Sequence, residues 1–323
     1  MSYAFISGLA PQIRQFLDYK HSLGYKYSSA EFYLNDLDRF CMQKGLEANL
    51  TKELVESWIM SREQAHPSPY RAWISSIREF GRYLQLTGYP DAYMVSDRFV
   101  SRKYRPTPYF FTEDEVSMFF AACDSIVLRR IYQGRHLVIP VLFRFLYCCG
   151  VRTCEARLLL TKNVDLEKGY ADILKSKGLK DRRIYLCEDL LDLFRKYDTR
   201  ISAYFPVRKY FFPSASNECY SKGSIGSNFN LIWDTARLRQ VSGKQPRAYD
   251  FRHHFAFANV NRWIAEDKNV NAMLPYLMRY MGHSSLESTS YYIHLVPEFF
   301  STCRPAHYGV LKTAESNICK KSL

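Results

Sequence analysis

Residues 137–149 read LVIPVLFRFLYCC and run directly into Gly150-Val151-Arg152-Thr153-Cys154-Glu155. The first stretch is too long and too apolar for one surface strand, and it reads as a helix buried in a domain interior. Gly150 breaks that helix, and an Arg–Glu pair opens the next one. At a helix start the planar fork of Arg152 can meet a phosphate where backbone amides also point. Arg152 and Glu155 at i,i+3 can equally form a structural pair on the helix.

Downstream of Leu160 the texture changes. Residues 163–166, 171–174 and 183–187 read as short strands, with turns at Glu167-Lys168-Gly169 and Ser176-Lys177-Gly178. From Asp189 to the end the pattern is helical. Upstream, Thr112-x-x-Glu115 is a capping box that starts a helix carrying Val116, Phe119 and Phe120 on its apolar side. Before it, Ser101-Arg102-Lys103-Tyr104-Arg105-Pro106-Thr107-Pro108 combines two prolines with three basic residues and reads as an extended linker.

The first hundred residues read as four helices. Ile13, Phe16, Leu17 and Leu23 mark the first, which Gly24 interrupts. Phe32, Leu34, Leu37, Phe40 and Cys41 mark the second, with Gly45 at its end. Leu54, Val55, Trp58 and Ile59 mark the third, and Trp73, Ile74, Ile77, Phe80 and Leu84 the fourth. Arg71, Arg78 and Arg82 share the other face of that fourth helix, as a nucleic-acid contact or as a solvated surface. The expected architecture has two domains and is mostly α. A helical domain spans residues 1–100, a basic linker 101–110, and an α+β domain with a small antiparallel sheet 111–323.

The chain has 323 residues, 47% hydrophobic and 24% charged, enough to build packed cores and to argue against disorder. Its formal charge of +13 favours a polyanionic partner without choosing among DNA, RNA and an acidic membrane face. A stretch near 18 consecutive apolar residues does not occur, and the N-terminus lacks the basic-then-apolar order of a secretory signal, so a cytoplasmic protein with no membrane role is expected. The nine cysteines follow no metal-ligand rhythm and read as reduced, mostly buried thiols. No metal and no cofactor are expected.

Three further segments could carry chemistry. Lys177 and Lys180 lie in the basic hairpin Leu174-Lys-Ser-Lys177-Gly-Leu-Lys180-Asp-Arg-Arg, where a lysine could neutralise a phosphate or donate a proton, or could merely decorate an exposed turn. Arg247-Ala-Tyr249-Asp-Phe-Arg252-His253-His254 gathers two arginines and two histidines, and His253 could also be an ordinary core histidine. Gly282-His283-Ser-Ser is followed by Tyr291 and Tyr292, the latter nine residues after His283.

Taken together and in this order, the four segments resemble the catalytic domain of the tyrosine recombinase (phage integrase) family. Gly150-Val-Arg152-x-x-Glu155 is similar to its first-arginine motif, and Ser176-Lys177-Gly178 with Lys180-x-Arg to its β-hairpin lysine motif. Phe251-Arg252-His253-x-Phe-Ala is similar to its second-arginine motif, and Gly282-His283 with Tyr292 to its histidine and nucleophile motif. The resemblance covers roughly residues 106–300, with a weaker likeness of the helical N-terminal part to the family's core-binding domain. One departure stands out: three residues before Arg252, where the family usually has histidine, this chain has Tyr249.

The resemblance implies that Tyr292 is the nucleophile forming a 3′-phosphotyrosine, that Arg152 and Arg252 clamp the phosphate, that Lys177 is the acid for the leaving oxygen, and that His283 assists at the phosphate. Glu155 and His253 would support them, and Tyr249 would donate a hydrogen bond to phosphate. Arg71, Arg78, Arg82, Arg102, Lys103, Arg105 and Lys180 would contact DNA. The implied partners are duplex DNA bearing a specific site, further copies of the chain in a synaptic tetramer, and accessory DNA-bending or excision factors. A Holliday junction would be the intermediate, with integration or excision of a mobile element as the outcome. The tail from Val296, with Phe299, Phe300, Val310, Leu311 and Ile318, would dock on a neighbour or on its own domain. Two other readings of the same scaffold are a type IB topoisomerase that relaxes DNA and a DNA-binding regulator that has lost catalysis.

Overall fold

The computed structural model describes residues 3–44, 49–62, 67–96, 99, 108–174, 181–243 and 245–283. The chain divides into two compact units at Pro106/Thr107.

The first unit is built from α1 (Ala10–Ser22), α2 (Ser28–Lys44), α3 (Lys52–Met60) and α4 (Pro67–Leu86). Ile13, Phe16, Leu34, Leu37, Val55, Trp58, Ile77 and Phe80 fill one core. The helix spacing read from the sequence therefore places these residues inward, with two exceptions. Leu23 caps α1 beyond its last turn and is exposed, and Phe32 lies at the surface against Tyr3 and Tyr33. Asp38 is buried and ties the N-terminal segment to α2 by accepting from the Ile6 and Ser7 amides at 2.9 and 3.0 Å. On α4, Arg82 is exposed, whereas Arg71 and Arg78 are half-buried, so the basic face is not the fully solvated surface its spacing suggests. Gly45, expected to end α2, lies outside the described residues.

The second unit opens with the capping box. The Thr112 hydroxyl accepts from the Glu115 amide at 3.2 Å, and the Glu115 carboxylate accepts from the Thr112 amide at 2.9 Å, starting α5 (Glu113–Asp124). At the centre runs α6 (Arg135–Cys149), whose residues from Leu137 to Tyr147 are all buried. It ends as expected at Gly150, in the left-handed conformation at φ +57°. Burying α6 from Leu137 to Tyr147 includes burying Arg144. Its guanidinium makes a two-pronged pair with Asp124 of α5 at 2.9 and 2.8 Å and lies 4.7 Å from the Phe120 ring centre.

After α7 (Thr153–Leu158), β1 (Val164–Asp165), β2 (Tyr170–Ile173) and β3 (Arg182–Tyr185) form an antiparallel sheet in the order β1-β2-β3. The strands fall within two residues of the sequence reading, β3 ending at Tyr185 and not at Cys187, and Gly169 makes the β1–β2 turn at φ +71°. Register pairs Ala171 with Ile184 and Ile173 with Arg182. Ala171, Ile173 and Ile184 face the core, while Asp172 and Arg183 pair on the outer face at 2.8 and 2.9 Å. The turn expected at residues 176–178 lies outside the described residues.

Among the described residues five helices follow: α8 (Glu188–Ser202), α9 (Ser224–Thr235), α10 (Leu238–Ser242), α11 (Asp250–Ala265) and α12 (Val270–Met281). The helical reading from Asp189 onward fails between α8 and α9. There the chain is irregular and makes the isolated bridges Leu160↔Tyr210 and Pro213↔Cys219. The reason is local: Tyr210, Phe211 and Phe212 come back to Leu159 and the α8 core, with the Phe211 amide donating to Leu159 O at 2.8 Å and its carbonyl accepting from the Tyr197 hydroxyl. Seven cysteines are described and all are free. Cys41, Cys123 and Cys149 are buried, but Cys154 and Cys187 are exposed, so the thiols are less uniformly interior than their scatter suggests.

Candidate active site

Two helix ends build the site. The first is the left-handed Gly150 that closes α6. A Cβ placed on it would lie 2.4 Å from the Phe255 ring, so both the φ angle and the packing require glycine there. The turn it makes sets Arg152 as the residue capping α7. The Glu155 carboxylate reaches back to the Arg152 amide at 2.8 Å and accepts from the Arg152 guanidinium at 2.7 Å. The structural pair weighed from the sequence is therefore formed. It does not use up the arginine, whose Nη2 donates to Gly282 O at 2.8 Å.

The second end is that of α12. Gly282 closes it at φ +66°, and the amides of Gly282 and His283 fold back onto the carbonyls of Arg279 and Met278. This leaves the carbonyls of Met281 and Gly282 directed at the arginines. Arg252, from the first turn of α11, donates to Met281 O at 2.5 Å and to Gly150 O at 2.7 Å. Two cations far apart in sequence are thus held by adjacent carbonyls at the end of α12, and Arg252 also by the carbonyl of the residue that closes α6. A neutral carbonyl orients a guanidinium without cancelling its charge. Arg252 is buried at 1% exposure, and the Arg152 side chain retains 15%.

His283 follows directly. Burial, then the nearby Arg252 and Arg152, draw its imidazole down to a pKa of about 3, which keeps it neutral at physiological pH. His253 is half-buried and is drawn down to about 4, chiefly by burial, with Asp250 opposing the shift. His254 is the core histidine of the pair, stacked on Tyr147 at 5.4 Å and edge-on to Phe111. Tyr249 stands just before α11 with 39% exposure, its ring edge-on to His253 at 5.1 Å.

Arg152, Glu155, Arg252, His253 and His283 therefore come together. Lys177, Lys180, Tyr291 and Tyr292, the tail from Val296, and the linker residues Arg102, Lys103 and Arg105 lie outside the described residues. Sequence reasoning passed over Arg182. It donates to both Glu155 oxygens at 3.0 and 2.6 Å and, through Nε, to Tyr280 O at 2.8 Å. Its only signal was its place as the arginine of the Lys180-x-Arg pattern. Burial by itself would raise the Glu155 carboxyl, but the bonds from Arg182 and then Arg152 outweigh it and hold the group below the usual carboxylate range. Among the described residues no group of three or more His, Cys, Asp or Glu side chains is arranged to hold a metal ion, and no helix is long and apolar enough to cross a membrane.

This geometry suits an anion with several oxygens: convergent guanidiniums, a neutral imidazole beside them, and a carboxylate that orients one arginine. Comparison with known proteins agrees. The phage integrase family profile matches residues 109–298. The y4rE protein of Sinorhizobium fredii is 28% identical over 301 residues, covering 90% of this chain and 93% of its own. A tyrosine recombinase of Thermosipho africanus is 23% identical over 304 residues, covering 88% and 95%. The fold of the XerH site-specific recombinase, solved bound to palindromic difH substrate in a post-cleavage complex, superposes with a TM-score of 0.62 at 17% identity, over 83% of this chain and 76% of that one. The matched region takes in both helix ends that carry Arg152, Arg252 and His283, and the chain belongs to the phage integrase family, the tyrosine-type site-specific recombinases.

Proposed function

We propose that this recombinase cuts and rejoins duplex DNA through a covalent 3′-phosphotyrosine on Tyr292 and exchanges strands through a Holliday junction. The observation that carries the reading is the convergence of Arg152 and Arg252 on the adjacent carbonyls of Gly282 and Met281, immediately before His283. Nine residues beyond His283 lies Tyr292.

A phosphodiester carries negative charge that repels nucleophiles, and its transition state places more charge on the non-bridging oxygens. Arg152 and Arg252 bind those oxygens in a dry setting where each bond is worth more than in water. Tyr292 attacks phosphorus: the new bond to its phenol oxygen replaces the bond to the 5′ oxygen, which leaves with a proton supplied by Lys177. The bond energy is kept in the adduct, so attack by a 5′ hydroxyl reverses the step. A phenol titrates near pH 10 (about 10 for free tyrosine), so the neighbouring cations ease its deprotonation. Neutral His283 can donate to a phosphate oxygen, and the phosphate's negative charge offsets the arginines that hold its basicity down, so that it can also assist the proton transfer. Tyr249 donates its exposed hydroxyl to phosphate, and His253, packed against it, holds its ring.

The unit before Pro106 serves as the core-binding domain. Arg71, Arg78 and Arg82, the linker residues Arg102, Lys103 and Arg105, and Lys180 contact phosphates along the duplex, consistent with a formal charge of +13. XerH carries its DNA substrate on the same fold, which supports duplex DNA as the partner. Four copies synapse two sites, aided by accessory DNA-bending or excision factors. The role is integration or excision of a mobile element in the cytoplasm. The test is a nicked duplex from the flanks of the gene, mixed with protein and run on a denaturing gel. Wild type and Tyr291→Phe should form a covalent adduct and Tyr292→Phe should not. An adduct that survives Tyr292→Phe would overturn the reading.

A further inference from the structure

We infer that Arg182 is a positioning residue for DNA cleavage: by taking up the charge of Glu155 and bracing it against the end of α12, it leaves the site a net positive charge and keeps Arg152 correctly placed. This rests on the reading of the site given above.

Arg182 opens β3, directly after the hairpin segment, and its side chain is 7% exposed. All three of its donating nitrogens are engaged. Nη1 and Nη2 meet Glu155 Oε1 and Oε2 side by side, at 3.0 and 2.6 Å, and Nε meets Tyr280 O at 2.8 Å. One planar group therefore joins the β3 strand, the α7 start and the α12 end. Lysine could not do the same, because it offers a point charge in place of a fork. The guanidinium also lies against Gly282, where an added Cβ would stand 3.1 Å from Nη1. Gly282 O in turn receives Arg152. Arg182 thus supports the platform on which Arg152 rests, as well as the carboxylate that orients it.

The charge count explains why a second arginine belongs here. Glu155, with a side chain 3% exposed, accepts from Arg152 on Oε1 at 2.7 Å and from the Arg152 amide on Oε2 at 2.8 Å. A buried carboxylate and Arg152 alone would form a neutral pair, offering an incoming phosphate little net attraction. With Arg182 bound to both oxygens, the trio keeps one net positive charge. Arg152 can then turn toward a phosphate without leaving a buried carboxylate unpaired, which is costly.

The prediction distinguishes this role from simple scaffolding. Arg182→Met should lower the melting temperature, because it takes one partner from a buried carboxylate, yet stay folded at the assay temperature, bind duplex DNA within a few-fold of wild type, and cleave a nicked duplex at least tenfold and up to about a hundredfold more slowly, the scale of a slightly misplaced catalytic group. Arg182→Lys should fall between the two. The decisive variant is Arg182→Met combined with Glu155→Gln. Removing the carboxylate charge that then captures Arg152 should cost no further rate, or restore part of it. If Arg182→Met is unfolded at the assay temperature, Arg182→Lys carries the same comparison with Glu155→Gln. Losses that multiply in the double variant, or undiminished cleavage by Arg182→Met, would overturn the role of Arg182. No adduct from wild type on any nicked flank duplex would instead sink the reading of the whole site, so the two failures are separable.

Discussion

Arg152 and Arg252 hang from neighbouring carbonyls, Arg152 Nη2 on Gly282 O at 2.8 Å and Arg252 Nη2 on Met281 O at 2.5 Å. The end of α12 therefore sets the spacing of the two cations, and Arg252 also reaches Gly150 O at the end of α6. The residues that support the site are backbone turns, and several consequences can be measured.

Gly150→Ala should damage both stability and cleavage. The new Cβ would meet the Phe255 ring at 2.4 Å, and that ring is rooted on α11 and stacked on Tyr280. The left-handed φ and the overlap together should cost about 2–4 kcal/mol. Chemical denaturation would measure it, and a loss under 1 kcal/mol, by order of magnitude, would contradict the packing.

Gly282→Ala should separate the two effects. Its Cβ would come nearest the Arg182 side chain, 3.1 Å from Nη1, the end of a long side chain, so the stability cost should be about 1–2 kcal/mol, that of the left-handed backbone. Cleavage should fall more steeply than stability, since Gly282 O holds Arg152. Equal, modest effects on both would argue that this carbonyl does not set the arginine.

Arg144 and Asp124 form a buried pair away from the site, with side chains 0% and 4% exposed. Asp124→Asn removes the carboxylate charge facing a buried guanidinium and should cost about 3–5 kcal/mol. Arg144→Met combined with Asp124→Leu should recover much of that loss. A double variant as unstable as Asp124→Asn would show that the pair does more than satisfy itself.

His254 should make stability depend on pH. Burial pulls its imidazole from 6.5 down to about 4, so the folded protein excludes a proton that the unfolded chain accepts. Its contribution is complete above about pH 6.5 and is lost as pH falls toward 4, with a slope approaching about 1.4 kcal/mol per pH unit. His254→Phe should flatten the pH dependence of unfolding in that window by about one proton. An unchanged slope would mean that this histidine is already charged in the fold.

How much could be read beforehand follows from the physics of each signal. The buried α6, its Gly150 stop, the Thr112 capping box and the short strands were legible because each rests on local periodicity or capping. Arg152, Arg252 and His283 were legible through their motifs, and the structure brings them together. Arg182 was not singled out, because its value lies in a carboxylate distant in sequence and in a helix end on another segment. Arg144 was hidden for a related reason: one charge inside an apolar helix finds its partner only when α5 packs beside α6. The irregular stretch between α8 and α9 was misread as helix because its aromatic run, Tyr210-Phe211-Phe212, is dictated by tertiary packing and not by any repeat.

The most direct test of the site is to identify the residue that carries the DNA. Protein trapped on a nicked duplex would be digested, and the nucleotide-bearing peptide sequenced by mass spectrometry. The adduct is expected on Tyr292, at a yield that collapses in Arg152→Ala and Arg252→Ala. A nucleotide on Tyr291 or on any other side chain, or an adduct indifferent to both arginines, would contradict the assignment of the site.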